Sequence, residues 1–147
     1  MISYRQANLT DVDTIAILQK QLYSADNTIE SLGAETEKNL KGGNLAVFFA
    51  FDGAMPIGFC EVSLRRDYVE GTEGGTVGYI EGVFVLPEYR GRHIAKELIK
   101  LSENWAKEKG CDEFASDCEL DNAQSLQLHL KTGFKEAGRN IHFVKKL

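Results

Sequence analysis

Short β-branched runs alternate along the chain with stretches whose apolar residues recur every three or four positions, so strands and helices are expected by turns. Ile2 to Gln6 reads as a first strand. Thr10, with Asp13 three residues on, marks the start of a helix whose buried face carries Ile15, Leu18 and Leu22. A more polar helix is expected from Ile29 to Leu40, stopped by Gly42 and Gly43. The segment "NLAVFFAFDGAMPIGFCEVSLR" holds two strand-like runs on either side of Asp52 and Gly53, a strong hairpin signal.

A charged, glycine-rich connection follows, "RDYVEGTEGGTVG", and then "TVGYIEGVFVLP", a long strand interrupted at its centre by Glu81 and Gly82. A glycine inside a strand marks a bulge or a close backbone approach, so something is expected to dock there. The next helix carries Ile94, Leu98, Leu101 and Trp105 on one face, with Lys107 and Lys109 in its last turn and Gly110 as its stop. "EFASDCEL" reads as a short strand with Asp117 in the middle. Asp121 is expected to cap a last helix that turns Ala123, Leu126 and Leu130 inward. From Phe134 to the terminal "IHFVKKL" one or two strands are expected to close the chain. Alternating elements with hairpins between them predict a mixed α/β domain.

A length of 147 residues at 43% hydrophobic content matches one domain, residues 1–147, with one core. The longest apolar run, Leu45 to Phe51, is too short for a bilayer, and the N-terminus lacks the basic flank and apolar centre of a signal peptide. A soluble cytoplasmic protein is the expectation. The net charge of −5, with no basic stripe, argues against nucleic acid and suits a cationic ligand. Cys60, Cys111 and Cys118 are odd in number and lack metal-ligand spacing, so buried free thiols are expected and no metal site.

Chemistry concentrates in "VLPEYRGRHIAKELI", Val85 to Ile99. A turn that opens a helix offers unpaired backbone N–H groups, here from Gly91 through His93, Ile94 and Ala95, and phosphate oxygens bind such groups without dedicated side chains. Arg90 and Arg92 add positive charge. Strand, "VLPEYRGRHIA", then helix resembles the acetyl-CoA-binding motif of the GNAT superfamily of N-acetyltransferases, Arg/Gln-x-x-Gly-x-Gly/Ala. Arg90 stands in its first place and Ala95 in its last, while His93 stands where glycine is usual. Because the cradle is made by backbone groups, His93 is expected to be tolerated, with a negative φ and an outward ring. The resemblance implies a GNAT-like fold: a central mixed, mostly antiparallel sheet flanked by helices, with a bulged strand at the acetyl-CoA site.

"DYVEGTEGGTVGYIEGVFVLP", "WAKEKGCDEFASDCELDN" and "HFVKKL" resemble more narrowly the aminoglycoside 6'-N-acetyltransferases. That similarity implies Tyr23, Tyr68, Glu81 and Asp117 facing an aminoglycoside, Asn122 touching the coenzyme, and a homodimer. An acid that the subgroup often carries falls at Gly138 here.

The residues also support this reading on physical grounds. A pantetheine arm can bind as an added strand against Val83 and Val85, and the Val83 N–H can stabilise a developing oxyanion. A protonated amine must lose a proton before it attacks, so Glu81 is the expected base through water, with Asp117 as amine-positioning acid or alternative base. Asn122, Ser125 and His129 form one helical stripe, and His129 occupies the place of the family's thiolate-protonating tyrosine. Acetylation of a different amine, or a non-catalytic acetyl-CoA-binding sensor, are the alternatives. No cysteine paired with a histidine suggests a covalent acetyl-enzyme.

Overall fold

The computed structural model describes residues 1–23 and 26–147. Strand β1 (Ile2–Gln6) leads through a turn of 3-10 helix, Leu9–Asp11, into α1 (Val12–Leu22). The expected Thr10–Asp13 start is displaced by a few residues. Asn8 caps the turn and the Asp11 carboxylate returns to the Asn8 N–H, a reciprocal pair that uses the shorter side chains. Helix α2 (Ile29–Lys41) begins at a Thr28–Ser31 capping box. The hairpin of β2 (Leu45–Asp52) and β3 (Met55–Arg65) turns at Asp52 and Gly53 as expected, and β4 (Val77–Val85), α3 (Ile94–Glu108), β5 (Phe114–Ala115) and α4 (Ala123–Lys131) follow.

The five strands lie in sequence order in one sheet, antiparallel from β1 to β4 and parallel between β4 and β5. Alternation along β2 and β3 sends Val47, Phe49 and Phe59 to the face covered by Ile15 and Leu18 of α1. Ala46, Phe48, Ala50, Cys60 and Val62 go to the other face, against Ile94, Leu98, Ile99 and Trp105 of α3. The α3 stripe is the one its spacing predicts, with Leu101 only partly buried. No helix among the described residues is long and apolar enough to cross a membrane.

Several expectations are corrected at the C-terminal end. Only Phe114 and Ala115 of "EFASDCEL" pair with β4, because the chain leaves the sheet after Ala115. Asn122, not Asp121, caps α4 through its side-chain oxygen on the Ser125 N–H. Ala123 and Leu130 are exposed, and it is Leu128, with Phe134 beyond the helix, that packs on the core. Residues 135–147 form no strand, and they make no backbone hydrogen bond among the described residues. Cys60 and Cys111 are buried, whereas Cys118 is exposed beyond the sheet.

Leu98 is fully buried between α3 and the sheet. Leu98→Ala is expected to lower stability by about 3 kcal/mol, read as a lower urea midpoint with an unchanged m-value.

Candidate active site

Pairing between β3 and β4 slips at one residue. Val62 opposes Ile80 and Glu61 opposes Gly82, which leaves Glu81 as the extra residue of a bulge. On the other side, β5 pairs only with Gly78 and Tyr79, so β4 from Ile80 to Val85 has an open edge. The Leu86 N–H bonds to the Ile57 carbonyl on the β3 side, so by strand alternation the N–H and C=O groups of Val83 and Val85 face the opening. These are the backbone groups expected to receive an added strand. Arg90 already uses one of them, its Nε donating to the Val85 carbonyl at 2.9 Å while its guanidinium lies over Phe84.

The open edge runs into the turn before α3. None of the six backbone N–H groups from Gly91 to Lys96 has a protein partner among the described residues, as an anion cradle at a helix N-terminus requires. Gly91 takes φ 80°, and His93, the N-cap, takes φ 62° and ψ 16°. The expected negative φ at His93 is therefore wrong. The cradle needs a left-handed residue there, which explains why glycine is usual at this place and why histidine, one of the side chains more often found in that region, occupies it under strain. Arg92 leans over the Tyr89 ring.

Two cavities flank β4. A larger one of about 940 Å³ is lined by Ile80–Val85, Arg90, His93, Ile94, Ala95, Asp117, Asn122 and His129. A second, of about 580 Å³, lies between the sheet and helices α1 and α2, with Gln19, Glu35, Thr36, Glu61, Ser63 and Arg65 on its walls. Tyr23 and Glu81 line both. The Tyr23 hydroxyl lies 3.4 Å from the Glu81 carbonyl oxygen and 3.3 Å from Glu61 Oε1. A Cβ on Gly82 would fall 2.4 Å from the same hydroxyl. The group that docks at the strand glycine is thus the protein's own tyrosine, standing where the two cavities meet.

Glu81 does not stand free. Arg65 grips both its oxygens, at 2.9 and 2.8 Å, and the Ser63 hydroxyl donates to Oε1 at 2.6 Å. The Arg65 guanidinium is stacked 3.5 Å from the centre of the Tyr79 ring, and the Tyr79 hydroxyl donates to Asp117. Burial, then the bond to Asp117, pushes the Tyr79 phenol up from its ordinary value. One continuous network therefore links the two carboxylates that the sequence singles out. Ser63 and Arg65 escaped notice because an alternating polar strand face reads as solvated until it is seen to line a cavity, and Tyr79 because an aromatic in a β-rich run reads as core.

His129 donates Nδ1–H to the Ser125 carbonyl at 2.7 Å, since a carbonyl can only accept, and its Nε2 meets the Ser116 hydroxyl at 2.7 Å. The neutral ring then carries its proton on Nδ1, and its other nitrogen accepts from Ser116. Tyr68 is 79% exposed in the connection before β4, away from both cavity linings. The absent side chain of Gly138 leaves room for Glu70, whose Oε1 lies 2.9 Å from where a Cβ would be, and Asn140 holds the other Glu70 oxygen.

A bulged β4, an open edge beside it and a bare helix N-terminus define the coenzyme cleft of an N-acetyltransferase. The sequence matches the model of the Acetyltransferase (GNAT) family over residues 13–134, and the chain belongs to that family. It is 39% identical over 142 residues to an aminoglycoside N(6')-acetyltransferase type 1 of Salmonella typhimurium (strain LT2), covering 97% of each chain. It is also similar to the structure of AAC(6')-Iy in complex with the bisubstrate analog CoA-S-monomethyl-acetylneamine, with a TM-score of 0.93, 37% identity, and 100% and 99% of the two chains covered. A third relative is the apo 6'-N-acetyltransferase AAC(6')-IG of Acinetobacter haemolyticus, at a TM-score of 0.89, 34% identity and 99% of each chain covered.

Replacing His93 by glycine removes the left-handed strain and leaves every backbone donor in place. His93→Gly is expected to stabilise the protein by about 1 kcal/mol, measured by urea denaturation, with coenzyme A affinity changed by less than about tenfold in calorimetry.

Proposed function

We propose that this chain transfers the acetyl group of acetyl-CoA to the 6'-amine of an aminoglycoside, by direct attack within a ternary complex. The observation that carries the reading is the meeting of two unlike cavities at Tyr23 and Glu81. One is lined by unpaired backbone donors that suit a pyrophosphate and a pantetheine arm, and the other carries the acids Glu35, Glu61 and Glu81, which suit a polycation. The relatives named as acting on aminoglycosides support the choice of acceptor.

Acetyl-CoA supplies an activated acyl group as a thioester. The N–H groups from Gly91 to Ala95, with Arg90 and Arg92 nearby, hold its phosphates, and Asn122 at the cap of α4 borders the same cleft. Val83 and Val85 pair with the pantetheine amides, and the Val83 N–H stabilises charge developing on the acyl oxygen. Tyr23 and the Glu81 carbonyl offer oxygen acceptors to the amine. Glu81 takes the amine's proton through water, with Arg65 and Ser63 fixing its carboxylate, while Asp117, fixed by Tyr79 on the wall of the larger cavity, positions the amine where the two cavities meet or serves as the alternative base. His129 acts at the thiol end through Ser116: a proton on Nε2 passes to the Ser116 oxygen as the Ser116 hydroxyl gives its own proton to the departing thiolate. Tyr68, exposed on the connection before β4 and outside both cavity linings, is left without a part in this scheme.

Residues 1–147 work as one domain, and the coenzyme requirement fits a cytoplasmic site of action. A homodimer is supported by the C-terminal arm, where Ile141, Phe143, Val144 and Leu147 are all at least 82% exposed on a segment without backbone partners. An exposed apolar segment of this kind, with its backbone groups unpaired, is suited to pairing with a second copy of the chain.

A thiol-release assay with acetyl-CoA and aminoglycosides that differ only in a 6'-amine or a 6'-hydroxyl is expected to show turnover with the amine alone. Turnover confined to small polyamines would overturn the acceptor, and coenzyme binding without any turnover would overturn the enzyme. Glu81→Gln is expected to cut kcat by about 100-fold or more with coenzyme A affinity unchanged. Deleting residues 141–147 is expected to turn a dimer into a monomer in sedimentation velocity.

A further inference from the structure

Glu61 is 7% exposed, and its carboxylate lies on the floor of the cavity between the sheet and α1 and α2. Its Oε1 is fully engaged, by the Gln19 side-chain amide and by the Tyr23 hydroxyl. Its Oε2 has no partner among the described residues. No fully buried side-chain oxygen there lacks one, so Oε2 must open on the cavity. Nothing in the reaction scheme uses this group.

We infer that Glu61 is a receptor for a cationic amine of the acceptor, its free Oε2 taking an ammonium group within the cavity between the sheet and α1 and α2. The inference rests on the acceptor entering that cavity. The charged and titratable groups around Glu61 define the ligand. From α1 and its C-cap come Gln19 and Tyr23, from α2 Glu35 and Thr36, from β4 Glu81, and along β3 Ser63 and Arg65. Arg65 is the only cation among the described lining residues, and both of its bonding nitrogens are committed to Glu81. Three carboxylates, Glu35, Glu61 and Glu81, thus face one cation. A single free carboxylate oxygen beside amide and hydroxyl groups suits an ammonium with three N–H donors, whereas a divalent ion needs several oxygen ligands at once.

Without that partner the carboxylate is costly to ionise. Burial first, opposed by the bonds from Gln19 and Tyr23, and then the charges of Glu81 and Glu35, hold its pKa above the ordinary carboxylate value. In the empty protein Glu61 therefore keeps its proton to higher pH than an exposed glutamate does. An arriving ammonium stabilises the ionised form, so its binding releases that proton to solvent. The sign follows: acceptor affinity rises with pH between the lowered pKa of the occupied site and the raised pKa of the empty one.

The test is calorimetric titration of kanamycin, which carries a 6'-amine, into the protein loaded with coenzyme A, at several pH values from about 5 to 8. Wild type and Glu61→Gln are compared, so that contributions from Glu81, Asp117 and the drug's own amines cancel. Glu61→Gln is expected to bind about tenfold more weakly at the alkaline end and to converge with wild type at the acid end, where Glu61 is itself neutral. Coenzyme A binding checks that the variant folds. If it does not, Glu61→Asp must keep the pH dependence of wild type, and a flat profile overturns the inference. Equal affinities throughout, or a gap that does not change with pH, also overturn it. Failure of wild type to bind kanamycin at any pH overturns the aminoglycoside reading and this inference with it.

Discussion

One residue out of register between β3 and β4 is the constraint on which the rest of this molecule turns. With Glu81 unpaired, β4 twists away from the plane of β3, and β5 follows it only as far as Tyr79. The same break does three things at once. It frees the Val83 and Val85 edge for a ligand that binds as a strand, and it puts the Glu81 carboxylate at the bend. It also favours a glycine next door, because a Cβ at position 82 would fall 2.4 Å from the Tyr23 hydroxyl and push it aside.

Around that break the protein separates two kinds of electrostatic environment. On the α3 side, positive character comes mostly from backbone: six consecutive N–H groups and the N-terminus of a long helix, obtained at the cost of a left-handed His93. On the α1 and α2 side it is side-chain acids that dominate, and a single arginine clamps one of them while stacking on Tyr79. Clamping matters because a free glutamate beside the reaction centre would lose its geometry among rotamers, whereas a two-point bond fixes where its negative charge lies. Tyr23 belongs to both environments, and its one proton has two acceptors, the Glu81 carbonyl and the buried Glu61.

Much of this was legible in the residues before any coordinates. The hairpin at Asp52 and Gly53, the α3 stripe, the strand broken at Glu81 and Gly82, and the basic turn at Arg90 to Ala95 all depend on short-range patterns, and they stand where those patterns put them. Failures arose where the outcome depends on distant packing. Glu61, Ser63 and Arg65 look like the solvated side of a strand, and only the docking of two helices makes them a cavity wall. His93 gave no local sign of its positive φ, because backbone sign is set by the closure of the turn and not by the side chain. The C-terminal "IHFVKKL" reads as a strand but makes no backbone hydrogen bond among the described residues, because a strand needs an edge to pair with and local pattern does not say whether one is within reach.

The central claim is that donor and acceptor approach from opposite sides of β4 and meet at Tyr23 and Glu81. A crystal structure of the protein with coenzyme A and kanamycin bound together tests it most directly. The account predicts the pantetheine paired with Val83 and Val85, the 6'-amine beside the Tyr23 hydroxyl and the Glu81 carbonyl, and other amines reaching into the cavity above Glu61. An aminoglycoside bound over β5 and α4, with the cavity beneath α1 and α2 holding only water, would contradict it.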